Sequence, residues 1–220
     1  VWVFEPAREE RDATETRGAP ARRERLPLNS LWVIYFITLA AQVVFYLVPV
    51  NIPFYLQDMS GAKPSMSGMA IGVTTLFMFI GALLYKRIVL GTDFLGIVVR
   101  AMILMAVGYA TIGLARNFPQ VLVGLVIGGF GLGLLVPNNK VWVSTVTPAS
   151  LRGRGLGLLM SSMYLGQFLS PVVSQPVKAT WGLAATFVSA GALMLLLGIV
   201  FMAVRRRVAV PASAEPSARP

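Results

Sequence analysis

Apolar residues fall into six long runs along this chain, at roughly 29–52, 65–85, 95–115, 119–143, 154–176 and 182–204, and each run is bounded by charges or helix breakers. A helix rises 1.5 Å per residue, so about twenty residues cross a hydrocarbon core of roughly 30 Å. The pattern predicts an all-α membrane protein with six transmembrane helices. The connectors are short, at Gln57 to Lys63, Lys86 to Asp93 and Arg116 to Pro119, which predicts hairpins of antiparallel helices.

Two of the runs carry a mixed face. In the first, Tyr35, Thr38, Gln42, Phe45 and Pro49 recur at helical spacing, with Tyr46 alongside. In the fifth, Gly157, Ser161, Tyr164, Phe168, Pro171 and Gln175 do the same. Hydroxyls and amides left in hydrocarbon cost several kcal/mol, so such stripes are expected to face other helices or a watery cavity. The sixth run has no charge or amide and suits lipid. Near the middle of the membrane, Gln42, Tyr164, Gln167 and Phe168 are expected at one depth, either as substrate contacts or as hydrogen bonds between helices.

The fourth run, VLVGLVIGGFGLGLLVPNNK, sets Gly124 four residues before Gly128 and Gly129 four before Gly133. That spacing lets a neighbouring backbone come close. It serves static packing or a helix that slides during a conformational cycle, with Pro137 weakening the cytoplasmic end.

Composition agrees with the pattern. Of 220 residues, 56% are hydrophobic and 13% charged, and mean hydropathy is +0.72, far from the soluble balance of about a quarter charged. The net charge of +10 does not point to nucleic acid, because the basic residues sit in the tails and at the ends of apolar runs. Counted by face, Arg8, Arg11, Arg17, Arg22, Arg23, Arg25, Lys86, Arg87, Arg100, Lys140, Arg152, Arg154, Arg205, Arg206, Arg207 and Arg219 make sixteen on one side, against Lys63, Arg116 and Lys178 on the other. The positive-inside rule therefore predicts both termini in the cytoplasm and a multi-pass protein of the plasma (inner) membrane. Arg100 is expected to reach the headgroups or to pair with Asp93.

The chain contains no cysteine and no histidine, which excludes disulfides, thiolate or histidine metal sites and Ser-His or Cys-His nucleophiles. No enzyme activity and no cofactor are expected. The glycines at 153, 155 and 157 lack the spacing and the preceding strand of a nucleotide loop. Residues 1–28 mix acids with arginines and predict a cytoplasmic linker, 29–204 the six-helix transmembrane domain, and 205–220 a disordered cytoplasmic tail. The opening Val-Trp-Val-Phe has the look of a helix end, so a fragment of a longer protein is expected.

From the glycine-rich fourth run through Pro137, the loop TPASLRGRG and the following YLGQFLSP, the chain resembles the second half of a major facilitator superfamily transporter, and the likeness extends over residues 27 to 207. That family resembles two six-helix halves joined by a long cytoplasmic loop. The likeness implies a missing N-terminal six-helix half as partner, a lipid bilayer as setting, and helices one, two, four and five around a central cavity with three and six outside. Of the family's loop motif, Gly81 and Lys86 match, but Tyr85 stands where aspartate belongs. The antiporter motif resembles Gly166 to Pro171, with Ser170 in place of glycine.

What the resemblance implies for function is secondary active transport of a small organic solute by alternating access, with proton-coupled efflux of amphipathic compounds favoured. A sugar or metabolite importer of the same superfamily, or a non-transporting six-helix subunit, are the alternatives. The candidate substrate contacts are Gln42, Phe45, Tyr46, Tyr164, Gln167 and Phe168, and the candidate packing and conformational residues are Gly124, Gly128, Gly129, Gly133, Gly166 and Pro171. No carboxylate lies at mid-membrane in any run, so a proton-carrying group is expected in the missing half.

Overall fold

The computed structural model describes residue 26, residues 28–60 and residues 63–208. The linker expected at 1–28 and the tail expected at 205–220 fall mostly outside the described residues. Within them the chain is helical, with α1 at Leu28–Phe45, α2 at Leu47–Ser60, α3 at Pro64–Ile88, α4 at Phe94–Gly113, α5 at Phe118–Val146, a 3-10 turn at Ala149–Leu151, and α6 at Arg152–Val208. All are apolar enough to cross a membrane once α1 and α2 are taken together.

Two of these boundaries differ from the hydrophobic runs. The first crossing does not stop at residue 52. It continues as α2 to Ser60, with Pro53 inside, because Tyr55 and Leu56 are buried and the Tyr55 hydroxyl donates to the Ile112 carbonyl at 2.9 Å. The interruption lies earlier, at Tyr46. Pro49 has no N–H to offer the Phe45 carbonyl, and the neighbouring bond from Val50 N to Tyr46 O is long at 3.4 Å.

The fifth and sixth runs form one helix of 57 residues that passes through Pro171 and Pro176. At 1.5 Å per residue a straight rod of that length would measure roughly 85 Å, nearly three bilayer cores. It is folded at Gly182, whose φ of 80° and ψ of −179° belong to a region open only to glycine. Two arms result, 152–181 and 183–208, and the six expected crossings are recovered.

Capping residues set the other ends. Asp93 accepts from Gly96 N at 3.2 Å at the start of α4, and Asn117 accepts from Gln120 N at 3.1 Å at the start of α5. Pro64 opens α3 where a missing N–H costs nothing. The Asp93 carboxylate is also held by Arg205, at 2.9 Å from Nε and 2.7 Å from Nη2. Arg100 therefore does not pair with Asp93. It donates to Thr92 Oγ1 at 3.2 Å, since Asp93, as a cap, points into the first turn, where the last turns of α6 reach it.

α4 is enclosed by α5 on one flank and the second arm of α6 on the other. Its buried side chains Ile97, Met102, Met105, Tyr109 and Ile112 join Leu125, Leu132 and Phe187 in the main core. Small residues bring the axes together: a Cβ on Gly124 would lie 2.6 Å from the Gly108 carbonyl, and one on Gly129 2.7 Å from the Thr74 carbonyl. Thus Gly124 faces α4 while Gly129 and Gly133 face α3, two contacts on opposite sides of α5. Gly128 is looser, its nearest neighbour being the Tyr109 ring at 3.4 Å. The second arm of α6 exposes Leu193, Leu196, Ile199, Val200 and Val204, an apolar outer surface suited to acyl chains.

Candidate substrate cleft

α1 turns its polar stripe inward. Tyr35, Thr38 and Gln42 are all buried, and each is bonded. The Tyr35 hydroxyl donates to the Gly155 carbonyl at 3.1 Å, Asn139 Nδ2 donates to Thr38 Oγ1 at 2.9 Å, and Gln167 Nε2 donates to Gln42 Oε1 at 3.3 Å. α1 is thereby stitched to α5 and to the first arm of α6. Thr38, Gln42 and Asn139, with Lys140, Leu132, Met160 and Met163, line a narrow cleft of about 20 Å³, room for one water molecule.

The amide contact is possible because Gly166 lies directly beneath it. A Cβ there would sit 2.5 Å from the Leu39 carbonyl and 2.9 Å from the Gln42 Cβ. Gln42 is fourteen residues into α1 and Gln167 fifteen into α6, and both helices start from the same end of the bundle. The two amides therefore meet at one depth.

The other candidate contacts lie in a different layer. Tyr164 is 62% exposed and Phe168 70% exposed, on the side of α6 turned away from α1. Phe45 is half-buried against the main core, and Tyr46 is half-buried at the helix break. Of the six side chains, those of Gln42 and Gln167 share a hydrogen bond, with Gln42 buried and Gln167 half-buried, so the six make an amide pair flanked by an exposed aromatic wall and not one cluster. Pro171 is half-buried within the first arm. Ser170, at the antiporter-motif position, is fully buried with an unpartnered Oγ and lines a separate cleft of about 200 Å³ with Ser174, Thr186 and Ser189.

Sequence reasoning passed over a second polar chain. The Tyr85 hydroxyl donates to Asn138 Oδ1 at 3.4 Å, Asn138 Nδ2 donates to the Phe94 carbonyl at 3.1 Å and, at 3.5 Å, to Asn139 Oδ1, and Asn139 carries the chain on to Thr38. It ties α3, α4, α5 and α1 together. Tyr85 occupies the motif position where aspartate was looked for and bonds across to α5 instead. The signal was present as two adjacent amides after Pro137 in an otherwise apolar run, a placement that requires partners.

Known proteins share both the pattern and the shape. The family profile described as Major Facilitator Superfamily matches residues 93–220. Major facilitator superfamily domain-containing protein 10 of Mus musculus is 26% identical over 189 residues, covering 83% of this chain and 40% of its own length. The multidrug resistance protein MdtG of Proteus mirabilis is 26% identical over 180 residues (78% and 44%), and the multidrug efflux pump Tap of Mycolicibacterium fortuitum 29% over 148 residues (67% and 36%). The chain spans about two fifths of the length of these relatives. The crystal structure of the human organic anion transporter MFSD10 superposes with a TM-score of 0.72 at 21% identity, covering 84% of this chain and 43% of that one, a likeness of fold. Six apolar crossings in this arrangement, and a profile match over more than half of the residues, place the chain in the major facilitator superfamily of membrane transporters.

Proposed function

We propose that this chain supplies one wall of an efflux transporter for small amphipathic compounds, working by alternating access. The observation that carries the reading is the aromatic wall of Tyr164 and Phe168, exposed on the face of α6 turned away from α1, within one turn of Gln167 and its bond to Gln42. A wall of that kind holds a solute by apolar contact and orients it with few hydrogen bonds. A relative named as a multidrug efflux pump, Tap, and one named as a multidrug resistance protein, MdtG, support the direction.

Proton coupling is part of the proposal. Among the described residues the carboxylates are Asp58 and Asp93, both at helix ends, so the titrating group belongs to residues outside those described here. The same reading puts the face bearing Lys86, Lys140, Arg152 and Arg205 in the cytoplasm, together with both termini, and the protein in the inner membrane.

The test is accumulation of fluorescent amphiphiles in cells lacking their own pumps. Expression of the protein at its full natural length lowers dye accumulation, and a protonophore restores it. Unchanged accumulation across neutral, cationic and anionic dyes would defeat the reading. For orientation, cysteines placed at exposed Arg116 and Lys86 report the side: an impermeant thiol reagent added outside labels the first and spares the second, and the reverse pattern would invert the topology.

A further inference from the structure

Three buried polar side chains, Thr38, Gln42 and Asn139, converge on the narrow cleft of about 20 Å³ between α1, α5 and the first arm of α6. Their bonds to the rest of the bundle leave a definite remainder. Asn139 accepts from Asn138 and gives one N–H to Thr38; a primary amide has two N–H groups, and the second has no acceptor among the described residues. Gln42 accepts from Gln167 through Oε1, and its two N–H groups have no acceptor among the described residues either. Thr38 Oγ1 donates to the Ile34 carbonyl at 2.8 Å and accepts from Asn139, which leaves it one lone pair.

Two donors and one acceptor thus border a single small space, while Gln42 and Asn139 share no bond of their own. An apolar filling would leave buried N–H groups unpaired, which is costly. Two N–H donors and the nearby Lys140, which shares the lining, disfavour a cation. Anything larger than a water does not fit, whereas a water needs about 10–15 Å³ of such space and typically makes about three hydrogen bonds.

We propose that the cleft is a binding site for one structural water, which accepts N–H bonds from Gln42 and Asn139 and donates to Thr38 Oγ1. The water joins two hydrogen-bond chains. One runs from Tyr85, in the last turn of α3, through Asn138 and Asn139 to Thr38; the other is the Gln42–Gln167 pair. Through it Asn139 on α5 is linked to Gln167 on α6, and the Gln42 amide is held with its nitrogen toward α5 and its oxygen toward Gln167. The site belongs to the fold and is independent of which solute is moved.

Crystals of the protein at full natural length, at a resolution that shows ordered water, are expected to place one density peak within hydrogen-bond distance of Gln42 Nε2, Asn139 Nδ2 and Thr38 Oγ1. An empty cleft in such a map, or the Lys140 ammonium at that point, overturns the proposal.

Unfolding in mixed micelles measures the same bridge. Gln42→Leu, Asn139→Leu and the double variant are expected to show a coupling of about threefold in the unfolding constant, although the two side chains share no direct bond. Ala41→Val adds two methyl groups to the cleft lining; it is expected to remove this coupling and to leave that between Thr38 and Asn139 unchanged. Lys140→Met is expected to alter neither. A Gln42–Asn139 coupling that persists in Ala41→Val overturns the water and traces the link through Thr38, and its loss in Lys140→Met makes the ammonium the bridge. If the leucine variants do not fold, Gln42→Met with Asn139→Ala forms a milder cycle that is read in the same way.

Discussion

α1 and the first arm of α6 are built alike: each is an apolar helix with one stripe of small, polar and aromatic residues, and the two lie side by side. Their stripes meet opposite fates. That of α1, through Tyr35, Thr38 and Gln42, is buried, and each of the three side chains makes a hydrogen bond to another helix of this chain. That of α6, through Gly157, Ser161, Tyr164, Phe168 and Gln175, is exposed apart from Pro171, and α6 packs instead through Gly155, Leu159, Gly166, Ser170 and Ser174. A polar stripe on a membrane helix therefore says that lipid is the wrong neighbour without saying whether the right one lies in the same bundle.

Part of the exposed stripe is satisfied locally. Ser161 returns its hydroxyl to the Gly157 carbonyl at 3.1 Å, a local bond that leaves little unpaired polarity. The buried stripe keeps one such local bond, from the Thr38 hydroxyl to the Ile34 carbonyl at 2.8 Å, and goes beyond it. Its amides and Tyr35 reach other helices, so it doubles as the seam of the bundle.

The strongest way to break this contrast is to thicken the seam. Gly166→Leu drives a side chain into the Leu39 carbonyl and Gln42 and is expected to cost about 3 kcal/mol or more, seen as a large fall in melting temperature and membrane abundance. Gly157→Leu, on the other stripe and with nothing within 4 Å, changes neither. Similar losses in both would show that the stripes are not different.

Next in size are the bonds along the seam. Thr38→Val, Asn139→Leu and the double variant form a cycle with an expected coupling of about 1 kcal/mol, and the Gln42–Gln167 pair a smaller one of about 0.6 kcal/mol. Unfolding in mixed micelles measures both. Zero coupling at Thr38–Asn139 would reduce the seam to shape alone.

The smallest effect on stability, within about 0.5 kcal/mol, belongs to Tyr164→Ala and Phe168→Ala. These are expected instead to change the ranking among transported compounds. A uniform loss of all compounds with a lowered melting temperature would move the aromatic wall from substrate contact to packing.

How much of this could be read in advance follows from how local each feature is. Six crossings and the basic end were legible because they depend on run length and on charges that flank helices. The extension of the first crossing past Ile52 was hidden by Pro53, since a proline reads as a stop until Tyr55 is known to find the Ile112 carbonyl. The helix likewise runs on through Pro171, which is half-buried, and Pro176, which is exposed, and the turn waits for Gly182.

Long-range choices were illegible for a different reason. Gly128 and Gly129 are adjacent and equally small, yet a Cβ is comfortable at the first and collides at the second, because that depends on where α3 and α4 cross α5. For the candidate site, the spacing of Gln42 and Gln167 was enough to put them at one depth, and their pairing was among the stated alternatives. The outward turn of Tyr164 and Phe168 was not visible, as it is decided by which face of α6 can come nearest α1. Asn138 and Asn139 were legible and overlooked.

Gly182 has one more consequence. A connecting loop is slack, and slack lets two helices move independently; here the chain passes from one arm of α6 to the other through one residue whose backbone no L side chain adopts comfortably. The arms are hinged at that tip like the legs of a pair of compasses. The arms share that single pivot, and the Arg205–Asp93 pair fastens the far end of the lipid-facing arm to the start of α4.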